Sequence, residues 1–156
     1  MITIRIPGWQ TLDLAHLVLD LNSTIALDGQ VLPGVAERLA ALSANLTIHL
    51  VTADTQGQAA QSAECLGLQL FRIVPGDEAS QKLDLVAQLG PAWTVTIGNG
   101  ANDAGMLAAA ALGIAVLGPE GLAPTALQAA GVVVGRIEDA LDLLLRPQRL
   151  VATLRR

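Results

Sequence analysis

Four short polar clusters each follow an apolar run, and their side chains are those that phosphoryl chemistry uses. Leu17-Val18-Leu19 ends at Asp20 and continues Leu21-Asn22-Ser23-Thr24. Leu46 to Val51 leads into Thr52-Ala53-Asp54-Thr55. Lys82 opens a helical segment after a third run, and Thr94 to Ile97 precede Gly98-Asn99-Gly100-Ala101-Asn102-Asp103. A carboxylate can attack phosphorus and carry it as an aspartyl phosphate. Two acids near one point repel unless a cation lies between them, and carboxylate, carbonyl and water oxygens suit Mg²⁺. A hydroxyl and an ammonium, here Thr52 and Lys82, hold the charged oxygens of a transferring group. Glycines let a loop backbone come close to a metal or phosphate, and the N-terminus of the following helix favours anions.

Each residue alone also has an ordinary reading. Asp20 is as readily a turn or cap residue, Thr52 a strand-end hydroxyl, and Lys82 a solvated helix residue. The GNGAND stretch is by itself a tight turn with Asn102 as N-cap. It departs from the dinucleotide pattern, because Asp103 stands where GxGxxG needs its third glycine. Order and placement together are more specific than any member.

The elements that must position these clusters alternate strand, turn and helix. Residues 1 to 14 (MITIRI, Pro7-Gly8, then TLDL) read as a β-hairpin. Strands follow at Leu17–Leu19, Leu46–Val51, Leu68–Val74, Thr94–Ile97, Leu112–Leu117 and Val132–Val134. Helices are expected at Val35–Ser43, Gln56–Leu66, Ser80–Leu89, Asn102–Ala111, Pro124–Ala130 and from Ile137 onward. Uninterrupted Val/Ile/Leu runs are the pattern of strands buried on both faces. The alternation predicts a three-layer α/β architecture with a doubly wound parallel sheet, read as one domain over residues 1–156. Ligands bind beyond the carboxyl ends of such strands, where all four clusters fall.

Composition sets the outer bounds. Of 156 residues, 52% are apolar and 15% charged, with 14 acids and 9 bases. This is the reverse of a disordered composition. Eight of the nine bases are arginine, and Lys82 is the single lysine. A net charge of −5 speaks against nucleic acid or an anionic membrane as partner. Mean hydropathy is high at +0.51. Yet the longest apolar core, Met106 to Leu117, is 12 residues, against the ~20 a spanning helix needs. With no signal-like segment at the N-terminus and one cysteine, a soluble cytoplasmic protein is expected.

These residues resemble the haloacid dehalogenase-like superfamily, and most closely the phosphorylation domain of P-type ATPases, over residues 15 to 145. LVLDLNST is similar to the superfamily's strand ending in a nucleophilic Asp, which places that role on Asp20. Thr52-Ala53-Asp54 resembles the Thr-Gly-Asp motif, Lys82 the motif lysine, and GNGANDAGML the GDGxNDxxxL hinge. As a set they resemble soluble P-type ATPase-like proteins. The resemblance implies a Mg²⁺-dependent phosphatase of Rossmann-like fold acting on a phosphorylated small molecule or macromolecule. It implies metal ligation by Asp20, the Asn22 carbonyl, Asn99 and Asp103. It implies phosphate binding by Ser23, Thr24, Thr52, Ala53, Lys82 and Asn102.

Two departures weaken turnover more than capture. Asn22 stands where phosphatases of the superfamily place a second Asp as acid and base, a loss that typically costs ~10²–10⁴ in rate. Asn99 replaces an acidic metal ligand and removes one negative charge. A weakly active or inactive phosphoryl-binding module on the same fold is therefore the alternative. Only 27 residues, Ile25 to Val51, separate the first two clusters, too few for the nucleotide-binding domain of a pump. The 29 residues from Ala53 to Gln81 leave no room for a cap. A capless site needs a macromolecular substrate or a lid from another subunit. Homo-oligomerisation is expected, through an apolar hairpin edge of Ile2, Ile4, Ile6, Leu12 and Leu14. His16 and His49 read as packing or strand-edge residues, Cys65 as a small buried hydrophobe and Asp28-Gly29 as a turn.

Overall fold

The computed structural model describes residues 1–22, 24–53 and 58–156. Ser23 and Asp54, two of the expected rim residues, lie outside them. Strands β1 (Ile2–Arg5) and β2 (Thr11–Leu14) form the expected antiparallel hairpin, with Ile4 opposite Leu12. β3 (His16–Asp20) then enters the main sheet. β4 (Ala26–Leu27) and β5 (Gln30–Val31) make a second small hairpin. Its turn is Asp28-Gly29, whose φ values of 50° and 78° are those a two-residue hairpin turn requires. The turn was legible in the sequence, whereas two-residue strands are too short to carry a periodicity.

Helices α1 (Val35–Ser43), α2 (Gln58–Leu66) and α3 (Glu78–Leu89) alternate with β6 (Thr47–Thr52) and β7 (Gln69–Arg72). β8 (Thr94–Gly98), α4 (Ala104–Ala109), β9 (Leu112–Val116), α5 (Pro124–Ala129) and β10 (Val132–Val134) follow, and α6 (Ile137–Leu145) and α7 (Pro147–Leu154) close the chain. The six-stranded sheet has the order β10-β9-β8-β3-β6-β7 and every pairing in it is parallel. The chain winds outward from β3 to β7, returns across it to β8, and winds outward again to β10. That reversal opens a crevice at the carboxyl ends of β3 and β8.

Successive side chains of a strand point to opposite faces, so a strand covered on both sides must be apolar throughout. Leu17 and Leu19 join one buried cluster with Leu39, Leu141 and Leu144, while Val18 joins another with Val51, Val86 and Met106. The first layer includes α1 and α6, and the second α3 and α4. No helix among the described residues is long and apolar enough to cross a membrane.

Three expectations change. Ile4, Ile6, Leu12 and Leu14 are buried in the chain's own core, and of the five expected edge residues Ile2 alone is partly exposed. The alternation that suggested an open edge is that of a hairpin lying on the first layer. Cys65 is exposed, because the face that α2 turns inward carries Ala59, Ser62 and Ala63 instead. The helix after β8 is shorter than expected, since residues Ala101–Asp103 form a 3₁₀ turn that presents Asp103 to the loop before α4 begins. His16 and His49 are internal to the sheet, on adjacent central strands, with His49 Nε2 3.3 Å from His16 Nδ1 at the end opposite the crevice.

Candidate active site

Asp20 is the last residue of β3, between β6 and β8, so its carboxylate emerges in the crevice. Lys82, in the second turn of α3, reaches it from the side with its ammonium buried and its side chain 1% exposed. Lys82 Nζ donates to Asp20 Oδ1 at 2.8 Å, Asp103 Oδ1 at 2.6 Å and Asn102 Oδ1 at 3.3 Å. An ammonium is buried at this depth only when paired and hydrogen-bonded, and two carboxylates with an amide supply that. Burial alone would lower its pKa, but Asp20 and then Asp103 more than reverse this and hold it above the usual lysine value. Asp20 shows the opposite balance. Burial, and then the Asp103 charge, outweigh Lys82 and Thr24 and push its carboxyl up to about 7.

Asp103 is placed by its own loop. Its Oδ2 accepts the backbone N–H of Asn99 at 3.0 Å and of Gly100 at 2.8 Å, while Oδ1 takes the ammonium. This packing explains Gly98, the last residue of β8, where a Cβ would stand 2.5 Å from the Asp103 carboxyl. Thr24, 1% exposed, lies between two further oxygens, 3.4 Å from Asp20 Oδ2 and 3.1 Å from Asn99 Oδ1. Asn99 Nδ2 donates to the Gly121 carbonyl, which fixes the amide with its oxygen toward Thr24 and Asp20.

Asp20, Asn22, Thr52, Ala53, Lys82, Asn99, Gly100 and Asn102 are among the residues that line a cavity of about 290 Å³. The structure thus brings together most of the residues singled out in the sequence. Thr24 and Asp103 stand behind the cavity wall and act on it through Asp20, Asn99 and Lys82. Two lining residues escaped the sequence reading, the apolar Ile73 and the acid Glu78. Glu78 begins α3 two residues before the expected start at Ser80, and it opens onto the same cavity. Its signal was the spacing of four to Lys82, which puts both on one helix face once the helix is known to begin there.

Comparison with known proteins bears on the fold. No family model matches the chain. Two uncharacterized proteins of Methanocaldococcus jannaschii, MJ0073 and MJ0072, are each 49% identical to it, over 61 and 39 residues. These matches take in 39% and 25% of this chain, and 66% and 89% of theirs, so just under two thirds of MJ0073 is spanned. Among solved structures, one assigned to the HAD (haloacid dehalogenase) family of hydrolases from Streptomyces avermitilis has a TM-score of 0.69 at 22% identity, covering 87% of each chain. The 3-deoxy-D-manno-octulosonate 8-phosphate phosphatase of Moraxella catarrhalis, in complex with magnesium and phosphate ions and its sugar acid, has a TM-score of 0.68 at 17% identity over 91% of this chain and 94% of that one. The chain has the haloacid dehalogenase-like fold. A zinc-transporting PIB-type ATPase shares it too, with a TM-score of 0.61 and 26% identity over 80% of this chain and 20% of that one.

Whether this site suits a divalent cation turns on the oxygens left after the internal bonds are made. Both Asp103 oxygens are engaged, whereas among the described residues Asp20 Oδ2 has only a long contact to Thr24. Asn99 Oδ1 faces the same hydroxyl. One carboxylate oxygen and one amide oxygen side by side, with Asn22 on the same cavity, are a hard-cation donor set. Two carboxylates against one ammonium also leave a charge of −1 to be neutralised. The set is sparse: among the described residues, no three His, Cys, Asp or Glu side chains group closely enough to hold a metal. The residues fit Mg²⁺, and fit it weakly.

Proposed function

We propose that this chain is a Mg²⁺-dependent phosphohydrolase that transfers a phosphoryl group from a phosphorylated substrate to Asp20 and then to water. The observation that carries this reading is the Lys82 ammonium, buried and bonded to both Asp20 and Asp103 at the edge of a cavity on the sheet's switch point. It holds the nucleophile's carboxylate toward the cavity and leaves positive charge where phosphoryl oxygens would lie. Thr52, buried at the end of β6, offers a hydroxyl to the same oxygens, and Asn102 keeps the ammonium in place. Asp20, Asn99 and the Asn22 carbonyl would hold the cation, which would neutralise the phosphoryl charge when bound. The likeness to a sugar-acid phosphate phosphatase supports a phosphorylated small molecule as substrate, and a cavity of about 290 Å³ has room for a phosphoryl group together with part of its leaving group.

A second reading, a phosphoryl-binding module with little turnover, is favoured by the two amides Asn22 and Asn99 where acids would serve hydrolysis better. Turnover of p-nitrophenyl phosphate with and without Mg²⁺ separates the two readings. The expected result is metal-dependent release of nitrophenol that disappears in Asp20→Asn and rises in Asn22→Asp. Turnover appearing only in Asn22→Asp supports the module. Wild-type and Asn22→Asp proteins that are both inert and fail to bind beryllofluoride would sink both.

A further inference from the structure

Asn22 cannot move a proton, so hydrolysis at Asp20 needs another group to take one from water. Among the described residues that line the cavity, the carboxylic acids are Asp20 and Glu78. Asp20 is the nucleophile and is paired with Lys82, whereas Glu78 forms no salt bridge with any described residue. Resting on the reading above, we propose that Glu78 is the general base for breakdown of the aspartyl phosphate, and that the site accordingly takes donors whose leaving group departs without a proton, such as an acyl phosphate or a phosphoanhydride.

Geometry carries the assignment. Glu78 and Lys82 are four apart on α3, so their side chains share the helix face turned to the cavity. Glu78 Oε1 accepts the Gly76 N–H at 3.2 Å. The turn that presents this amide is pinned by Gln81, whose Oε1 accepts the Val74 N–H at 2.8 Å while Nε2 donates to the carbonyls of Val74 at 2.8 Å and Asp77 at 3.0 Å. Gly76 has φ +106°, and a Cβ there would meet nothing within 4 Å, so the turn depends on glycine's conformational freedom rather than on space. The carboxylate is thus oriented by a braced turn. Bonds from its own backbone amide and from Gly76 hold its pKa below the usual Glu value, so it stands ionised and free to accept a proton.

The two half-reactions follow. In the first, Asp20 Oδ bonds to phosphorus as the bond to the leaving oxygen breaks, and the electron pair leaves on that oxygen. A carboxylate or phosphate carries the pair as a stable anion, whereas an alkoxide would need an acid that, the nucleophile Asp20 and the ionised Glu78 aside, no described residue lining the cavity offers. In the second, a water oxygen bonds to phosphorus, its proton passes to Glu78, and the Asp20–phosphorus bond breaks with the pair returning to Asp20. Inorganic phosphate leaves and Glu78 gives its proton to solvent.

The test follows phosphoenzyme formed from acetyl [³²P]phosphate with Mg²⁺. In Glu78→Gln, breakdown should slow by ~10²–10⁴ while formation keeps its wild-type rate, so the labelled intermediate accumulates. Glu78→Asp should recover part of the breakdown rate. Acetyl phosphate should label the wild type on the order of 10²-fold or more faster than glycerol phosphate does. Asn22→Asp should narrow that gap. A merely structural role for Glu78 would slow both half-reactions together. Wild-type breakdown in Glu78→Gln overturns the base, equal labelling by the two donors overturns the donor class, and both results leave Asp20 chemistry standing. A wild type that takes no label from either donor overturns this inference together with the phosphohydrolase reading.

Discussion

At the scale of single residues, the site is an arrangement of three buried charges, and they do not share the energy evenly. Lys82 satisfies two carboxylates at once, so Lys82→Met leaves Asp20 and Asp103 facing each other without a cation. Breaking a buried pair in this way typically costs ~3–5 kcal/mol, and urea denaturation at pH 8 should show a loss of that size. Asp20→Asn should behave in the opposite way. A carboxyl pushed up to about 7 in the folded chain binds its proton more tightly there than in the unfolded chain. The native state therefore holds more protons between about pH 4 and 7, and this contribution to stability falls as pH rises through that window. Asp20→Asn removes that slope and should melt no lower than wild type at pH 8, which thermal melts across pH would check. The Asp20 carboxylate and the Lys82 ammonium were legible in the sequence because an apolar strand must stop at a polar residue to expose it, and because one lysine among eight arginines stands out. Thr24 and Asp103 were legible as members of the site but not as groups behind its wall, since that depends on which hydrogen bonds the loop closes. Glu78 was lost because its meaning depends on a helix start that a run of Asp, Glu, Ala and Ser does not mark sharply.

At the scale of elements, two glycines govern how the strands meet what covers them. Gly113 in β9 passes beneath α4, where a Cβ would stand 2.2 Å from the Leu107 carbonyl oxygen, which is backbone and cannot turn aside. Gly113→Ala should therefore push α4 away from the sheet and lower stability by about 1–3 kcal/mol, the usual range for overpacking. Gly98→Ala meets the Asp103 carboxyl at 2.5 Å instead, and moving that group strips Lys82 of a partner. The first change should act mainly on the melting temperature. The second should lower phosphoryl transfer by a larger factor than its melting shift accounts for. The same comparison shows why element order was readable and element ends were not. Continuous runs such as Leu17-Val18-Leu19 report burial on both faces, whereas the end of α4 is decided by Ala110, whose extended backbone lets the chain turn into β9.

At the scale of the whole molecule, the doubly wound order divides the site between two stretches of chain. Asp20 and Thr52 come from strands laid down before the exposed turn Val74–Asp77, and Lys82, Asn99 and Asp103 from elements after it. The two stretches meet where β3 lies against β8, along a parallel pairing from His16–Thr94 to Leu19–Ile97. Exposed turns of this kind are where chains tolerate cutting. A chain opened between Pro75 and Gly76 would leave Asp20 on one fragment and its counter-ion Lys82 on the other. Neither fragment would hold a complete site, and each would end with one side of a central strand bare. Mixing the two should restore nitrophenyl phosphate turnover in proportion to the heterodimer formed, and either fragment that turned over substrate alone would contradict this division. On the proposed function, the seam between β3 and β8 would make the chain a two-piece reporter, in which turnover reads out the reunion of halves.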